Sequence, residues 1–348
     1  MATGEQIARL AGVSRATVSR TLNGSDQVSE KTKKRIFNVI AALKDDTLHS
    51  ASSPSRIIAL ALLDEQGLNF SRLVHSSYYF YLSILKNIDE LIADANYDLF
   101  LPSGRHGRDE PIDVARANYI RTLHTNRVMG VIAVSMSSND PRIQALYQAA
   151  LPTIFVDSMF QAEHATWVRS DYLDGAYKAV EYLLSLGHRH IAFFHGDSLV
   201  TDVERILGWH QALASVGLTP DPQLTRICRW DAEDAYNATM KLLQERRDFT
   251  AIVAGSDIMA LGILQALHQH HLRVPDDISL IGFDDIDQCE RSNPPLTTIH
   301  QDTRLISQGA VSGLLQMLET KETPLPLVVP TRLIIRGSTR SIDMVNQK

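Results

Sequence analysis

The sequence predicts an α/β protein: a small helical head at the N-terminus, then a body of two doubly wound parallel-sheet lobes. Three observations carry this. From Arg56 onward, apolar runs of strand length alternate with amphipathic runs of helix length, the rhythm of parallel sheets covered by helices. About ten such strands fall within roughly 280 residues, enough for two sheets. Charge is also divided. Residues 1–44 hold eight Lys/Arg against three acids, a net of +5, which leaves −11 for the remainder of a chain whose total is −6. A basic head on an acidic body suits a phosphate-binding module joined to a domain with other business.

Composition narrows the class further. With 348 residues, 44% hydrophobic and 21% charged, the chain can bury cores in two or three compact units. Apolar runs such as Ile57–Leu63 are too short to cross a bilayer, so no membrane association is expected. The first residues lack a basic stretch followed by an apolar core, so no secretory signal is expected and the cytoplasm is the expected location. Cys228 and Cys289 lie in separate segments, which points away from a disulfide framework or a cysteine zinc site.

The head reads as a helix-turn-helix. Thr3-Gly4-Glu5-Gln6 has the form of a capping box, and Ile7, Ala8, Leu10 and Ala11 supply an apolar face. Gly12 stands where a turn needs positive φ. Ser14 is the next N-cap; Val18 and Leu22 mark the buried side of the second helix, and Ala16 and Arg20 its opposite side, free to meet DNA. Asn23-Gly24 ends it. A third helix starts near Ser29 with Ile36, Val39, Ile40 and Leu43 inward and Lys31, Lys33, Lys34 and Arg35 outward. In such a motif the second helix enters the major groove.

The unbroken run from Ile7 to Gly24, followed by Val28-Ser29-Glu30-Lys31-Thr32, resembles the head of the lactose/galactose-repressor (LacI/GalR) family. The resemblance implies that Arg15 and Ala16 read bases, a guanine edge for the guanidinium and a thymine methyl for the alanine. It implies phosphate or base contacts for Ser14, Thr17, Ser19, Arg20 and Asn23, with Thr3 at the first cap counted among the DNA-binding residues. It further implies a homodimer on a pseudo-palindromic, double-stranded operator. No heptad tail follows Leu333–Gly337, so a dimer is expected rather than a tetramer.

The segment after the head departs from the family pattern. Residues 45–56, beginning Asp45-Asp46 and containing Ser52-Ser53-Pro54, are expected to form a linker about four residues shorter than the family's hinge. Asp45 and Asp46 would repel phosphates, and Leu48 is the candidate minor-groove wedge.

In the body, strands are expected at Ile57–Leu63, Tyr97–Leu101, Val128–Val134, Thr153–Val156, Ile191–His195, Ile252–Ala254 and Ile278–Phe283. Helices are expected at Tyr81–Ala95, near Val114–His124 and Pro141–Ala149, then Gly175–Leu186, Glu204–Val216 and Ile258–His270. The stretches Leu186–Phe193, Arg205–Trp209, Val274–Asp285 and Pro295–Ile299 extend the resemblance. They imply a periplasmic-binding-protein-like body with crossovers near Trp167, Ile299 and Val328. The first lobe is then 57–167 with 299–327, and the second 168–298 with 328–340. His271 replaces the glycine usual after its helix and must accept a left-handed turn.

Carried over position by position, the resemblance implies a ligand cleft. Arg205 would hold hydroxyls or a carboxylate, Asp284 would accept from ligand donors, and Trp230 would cover the ligand's flat face. Asp157, Thr201 and Ser256 fall at further cleft positions, as do Phe80 and Tyr81 from the other lobe. A sugar is the expected small-molecule effector, with a purine or nucleoside as the rival. Ser256 stands where sugar-binding members commonly have asparagine. No Gly-x-Gly fingerprint, phosphate loop, His-Glu-x-x-His or Gly-x-Ser-x-Gly elbow is present, so no enzyme activity, cofactor or metal is expected. His268-Gln269-His270-His271 reads as a helix end meeting its dipole rather than a metal site.

Overall fold

The computed structural model describes residues 4–22, 28–50, 56–62, 79–102, 110–135, 140–196 and 200–342. The chain divides into two compact units, Met1–Arg56 and Ile57–Lys348.

In the first unit, helices α1 (Gly4–Ala11), α2 (Arg15–Leu22) and α3 (Glu30–Ser50) surround a small core of Ile7, Ala8, Ala11, Val18 and Ile36. Gly12 takes φ +60°, letting Val13 N–H turn back to Ala8 C=O at 3.0 Å. Ser14 and Ser29 cap the next two helices, each receiving the N–H three residues on, Thr17 at 3.1 Å and Thr32 at 3.3 Å. Two expected core positions are corrected: Leu10 is 54% and Leu22 56% exposed. In eight-residue helices the inner face is narrow. On α1 it is filled by Ile7, Ala8 and Ala11, with Leu10 past its edge at about 100° per residue. On α2 it is shared by Val18 and Thr21, whose hydroxyl is satisfied by Thr17 C=O at 2.9 Å.

The linker expected from Asp45 is also corrected, because α3 continues through Ser50. Extending a helix already formed costs far less than starting one, so a few acidic and hydroxyl residues do not stop it. Leu48, the candidate wedge, therefore lies within helix. Asn23, Gly24 and Thr3 fall outside the described residues.

Among its described residues the second unit holds two six-stranded sheets. The first comprises β1 (Ile57–Leu62), β2 (Asp98–Phe100), β3 (Val128–Val134), β4 (Thr153–Val156), β5 (Ala165–Ser170) and β11 (Leu327–Val329), in the order β2-β1-β3-β4-β5-β11 with every neighbour parallel. Helices α4 (Tyr79–Asp94) and α12 (Thr303–Thr320) cover one face. α5 (Ile112–Thr125) and α6 (Pro141–Ala149) cover the other. The second sheet comprises β6 (Ile191–His195), β7 (Thr225–Ile227), β8 (Ala251–Ala254), β9 (Ser279–Asp284), β10 (Thr297–His300) and β12 (Arg332–Ile334), in the order β7-β6-β8-β9-β10-β12. Only β12, against β10, runs antiparallel among these pairs. Helices α7 (Tyr172–Ser185) and α8 (Val200–Ser215) pack on one face, α9 (Ala232–Glu245) and α10 (Asp257–Gln269) on the other. A short α11 (Gln288–Arg291) precedes β10.

Both sheets are thus apolar on both faces, which is why their strands read as continuous rather than alternating runs. The chain passes between them at 170–172, 300–303 and 329–332, a little beyond Trp167, Ile299 and Val328. Trp167 sits inside β5, paired with Phe155, and Ile299 inside β10. His271 adopts φ +58°, the turn its position demands.

Candidate functional site

On α2, Arg15, Ala16, Ser19 and Arg20 are exposed and Thr17 is half-buried, while Val18 is turned into the core. Ser14 is exposed as well; its hydroxyl, besides capping, lies 2.8 Å from that of Thr17. On α3, Lys31, Lys34 and Arg35 are exposed, and Lys33 pairs with Glu30 at 2.8 Å. The head's second helix therefore offers small and basic side chains outward, side chains suited to a DNA groove.

The body's candidate site is built at the carboxyl ends of its strands, where doubly wound folds leave room for ligands. Asp157 follows β4 at φ +62°, Asp284 ends β9 at φ +125°, and Trp230 stands three residues past β7 at φ +60°. Left-handed backbone at non-glycine residues is strained and concentrates where side chains must be aimed. Arg205 lies on α8, four residues after Thr201 and therefore on the same face; both are buried.

Arg205 is the centre of the arrangement. It is 4% exposed, and its guanidinium carbon sits 4.2 Å from the ring centre of Tyr172, 4.5 Å from Phe283 and 4.9 Å from Trp230. The rings hold the cation by their faces. Among the described residues its Nε and Nη1 donors have no acceptor. Among the same residues Trp230 Nε1 has no acceptor and Gln301 Oε1 no donor. Buried polar atoms left in this state are costly unless a ligand or water completes them.

Two carboxyls share the same field. Asp157 accepts from the Tyr172 hydroxyl; burial raises its pKa, against the pull of Tyr172, Arg205 and Arg169. Asp284 accepts from Gln301 Nε2 at 2.7 Å; burial and then the Asp257 carboxylate push it well above the carboxylate range, with Arg205 opposing. Asp257, fully buried, is held by Thr298 Oγ1 and by Ile286 N–H at 3.0 Å. Ser256 caps α10 beside it, taking Met259 N–H at 3.3 Å. Burial raises Tyr81 and Tyr172, keeping both hydroxyls as donors.

Of the residues expected in the cleft, Tyr81, Asp157, Arg205, Trp230 and Asp284 come together; Thr201 and Ser256 lie at the ends of the helices that frame them. Phe80 belongs instead to the first-lobe core, edge-on to Tyr81 at 5.2 Å between ring centres. Residues from both lobes meet here, since Tyr81 and Asp157 belong to the first and the others to the second. A further ion pair, Arg169 of β5 with Glu204 of α8, joins the lobes nearby. Tyr172, Phe283, Gln301 and Asp257 were not anticipated. The strand-end rule points to Phe283 and Gln301; nothing local marks Tyr172. Among the described residues no group of three or more His, Cys, Asp or Glu is placed to hold a metal.

The set has cation and indole donors, carboxyl acceptors and an aromatic wall. It can bind a neutral, hydroxyl-bearing molecule through both donors and acceptors while its flatter face rests on an indole.

Comparison with known proteins finds likenesses for both the head and the body. Residues 5–44 match the family described as bacterial regulatory proteins, lacI family, and residues 180–339 match a periplasmic binding protein-like domain. The chain is 30% identical over 340 residues to the HTH-type transcriptional regulator CelR of Thermobifida fusca, covering 96% of this chain and 97% of that protein. It is 30% identical over 324 residues to the HTH-type transcriptional repressor PurR of Aliivibrio salmonicida, covering 92% and 93%. Among solved structures, a complex of the regulator CelR with cellobiose superposes with a TM-score of 0.71 at 30% identity, covering 97% of this chain and all of that one. A Lac repressor dimer bound to operator and the anti-inducer ONPF gives 0.71 at 27%, covering 98% and 99%. No helix of the described residues is long and apolar enough to cross a membrane.

Proposed function

We propose that this chain, which belongs to the LacI family of bacterial regulatory proteins, is a repressor that grips operator DNA with α2 and answers to a sugar bound between the lobes of its body. The observation that carries the reading is the outward face of α2: Ala16 and Arg20 meet solvent while Val18, on the other side, holds the helix to its core. Arg15 and Ala16 read bases; Ser14, Thr17, Ser19 and Arg20 hold the backbone, with Thr3 and Asn23 completing the footprint. The chain works as a homodimer in the cytoplasm on a pseudo-palindromic site, a reading supported by the likeness to the operator-bound Lac repressor dimer.

In the body, Arg205 and the Trp230 indole donate to ligand oxygens, Asp157 and Asp284 accept from ligand hydroxyls, and Thr201, Ser256 and Tyr81 line the remainder. The likeness to a cellobiose-bound regulator supports a sugar. A purine or nucleoside is the second reading, because the chain is also 30% identical over 324 residues to a repressor named PurR, and an arginine, an acid and an indole suit either ligand. We read the protein as a binder rather than an enzyme, as its relatives are regulators. Effector changes DNA affinity only as far as it prefers one arrangement of the protein over the other.

The test is to select DNA from a random duplex library with the full chain, then measure affinity for the enriched site across a panel of sugars and nucleobases that includes cellobiose. The expected result is a two-fold-symmetric site whose affinity one sugar shifts in the wild type and not in Arg205→Ala. Enrichment of no sequence, or a response to nucleobases alone, overturns the corresponding half of the reading.

A further inference from the structure

Trp230 is held in place by a missing side chain. Arg229 and Trp230 are consecutive left-handed residues, φ +39° and +60°, and neither is glycine. Such a pair persists only where the surroundings fix it. From the solvent side the fork of Arg229 holds Asp234, Nε to Oδ2 at 2.6 Å and Nη2 to Oδ1 at 2.8 Å. Asp231, next in the chain, caps α9 by accepting from Glu233 N–H at 2.8 Å and Asp234 N–H at 3.1 Å, which ties the loop to the helix.

From the inner side the indole lies on Gly196, the residue after β6. A Cβ there would stand 2.1 Å from Cε2 and 2.2 Å from Nε1 of the ring. An indole is rigid and cannot yield as the end of a flexible chain would. The backbone at Gly196 is not left-handed, unlike Gly12, Gly187 and Gly217. Glycine is needed here for space, not for conformation. Its N–H donates to Asp202 Oδ1 at 3.0 Å, which joins this floor to α8, the helix that carries Thr201 and Arg205.

We infer that Gly196 is a positioning residue for the effector site: its bare Cα forms the floor of a slot that fixes the Trp230 indole beside Arg205, and the Arg229–Asp234 clamp closes the slot from outside. The inference rests on the reading of Trp230 as the ring that covers the effector. A side chain at 196 pushes off its seat a ring that stands 4.9 Å from the Arg205 guanidinium.

The test reads the ring itself in the full chain. Tryptophan emission is recorded with and without Trp230→Phe, in both the parent and Gly196→Ala, and the difference isolates the indole at 230 from Trp167 and Trp209. Gly196→Ala is expected to move that difference signal to longer wavelength and to raise its quenching by iodide. Asp234→Asn, a change at the surface clamp, is expected to do the same to a smaller degree and serves should the alanine variant fail to fold. A difference signal that stays unchanged in a folded variant of either kind overturns the inference. Cellobiose is the ligand probe: where it binds the parent, Gly196→Ala weakens it by about tenfold and has no added effect in a Trp230→Ala background, whereas an equal loss in both backgrounds also overturns the inference. The emission change is read without ligand, so a shifted signal with no response to any sugar counts against the effector reading alone.

Discussion

The head and the body use arginine in opposite ways. Arg15 and Arg20 stand in water on a helix whose inner face is occupied by Val18. Arg205 is buried, its faces covered by three rings and two of its donors without an acceptor among the described residues. In water a guanidinium is attracted to any phosphate, and salt weakens the attraction. Enclosed among rings and carboxyls, it selects by geometry, and leaving its donors unmet is costly. A regulator needs both, a fast and forgiving grip on DNA and a discriminating grip on a small molecule. The two units differ accordingly in how a lost side chain should register.

The sharpest separation of the units comes from their cores. Ile36→Ala, at a fully buried position of the head, should destabilise the head by about 2–5 kcal/mol while leaving the body's melting transition in place; calorimetry that shows one merged transition shifting as a whole would contradict two units. Arg205→Ala should cost on the order of 2–5 kcal/mol of effector binding and leave DNA affinity without effector unchanged, measured by titration calorimetry and gel shift. Arg15→Ala should cost about 1–3 kcal/mol on the selected site and relax preference at one base pair, with the body's melting temperature unmoved.

The smallest effect concerns pH. The carboxyls of Asp157 and Asp284 are raised in the folded body. The folded state therefore holds protons more tightly than the unfolded chain, and stability falls as pH rises from the unfolded carboxylate pKa through the raised folded values. Below the unfolded value the penalty is absent. Asp284→Asn should accordingly raise the body's melting temperature at neutral pH and flatten its pH dependence, while abolishing the effector response. A variant that melts lower at neutral pH would show that Asp284 is stabilising as a charge.

The head was read almost residue by residue from the sequence because its signals are local. A capping serine, a glycine in a positive-φ turn and a buried isoleucine each declare themselves within four residues. The misreadings there, Leu10 and Leu22, come from short helices whose inner face is set by neighbouring helices. The helical continuation of α3 through Ser50 escaped because composition at Asp45–Ser50 argued against it and propagation prevailed. In the body the alternation was legible only in part: β5, β7, β10, β11, β12, α9 and α12 are not among the elements expected from the sequence, and the crossovers rested on the resemblance. The cage around Arg205 was legible only in part. Asp284 and Trp230 were reached through resemblance, whereas Tyr172 and Gln301 meet them through long-range folding, across sequence distances that no periodicity spans.

The most direct test of the division between a salt-sensitive head and a discriminating cleft is a salt titration of the full chain on its selected DNA, with Arg20→Ala in parallel. Affinity should fall linearly on logarithmic axes as salt rises, and the variant should lower the slope by about one without altering the effector response. A flat line for the parent, or an Arg20→Ala slope equal to it, would mean that the exposed face of α2 is not what meets the phosphates.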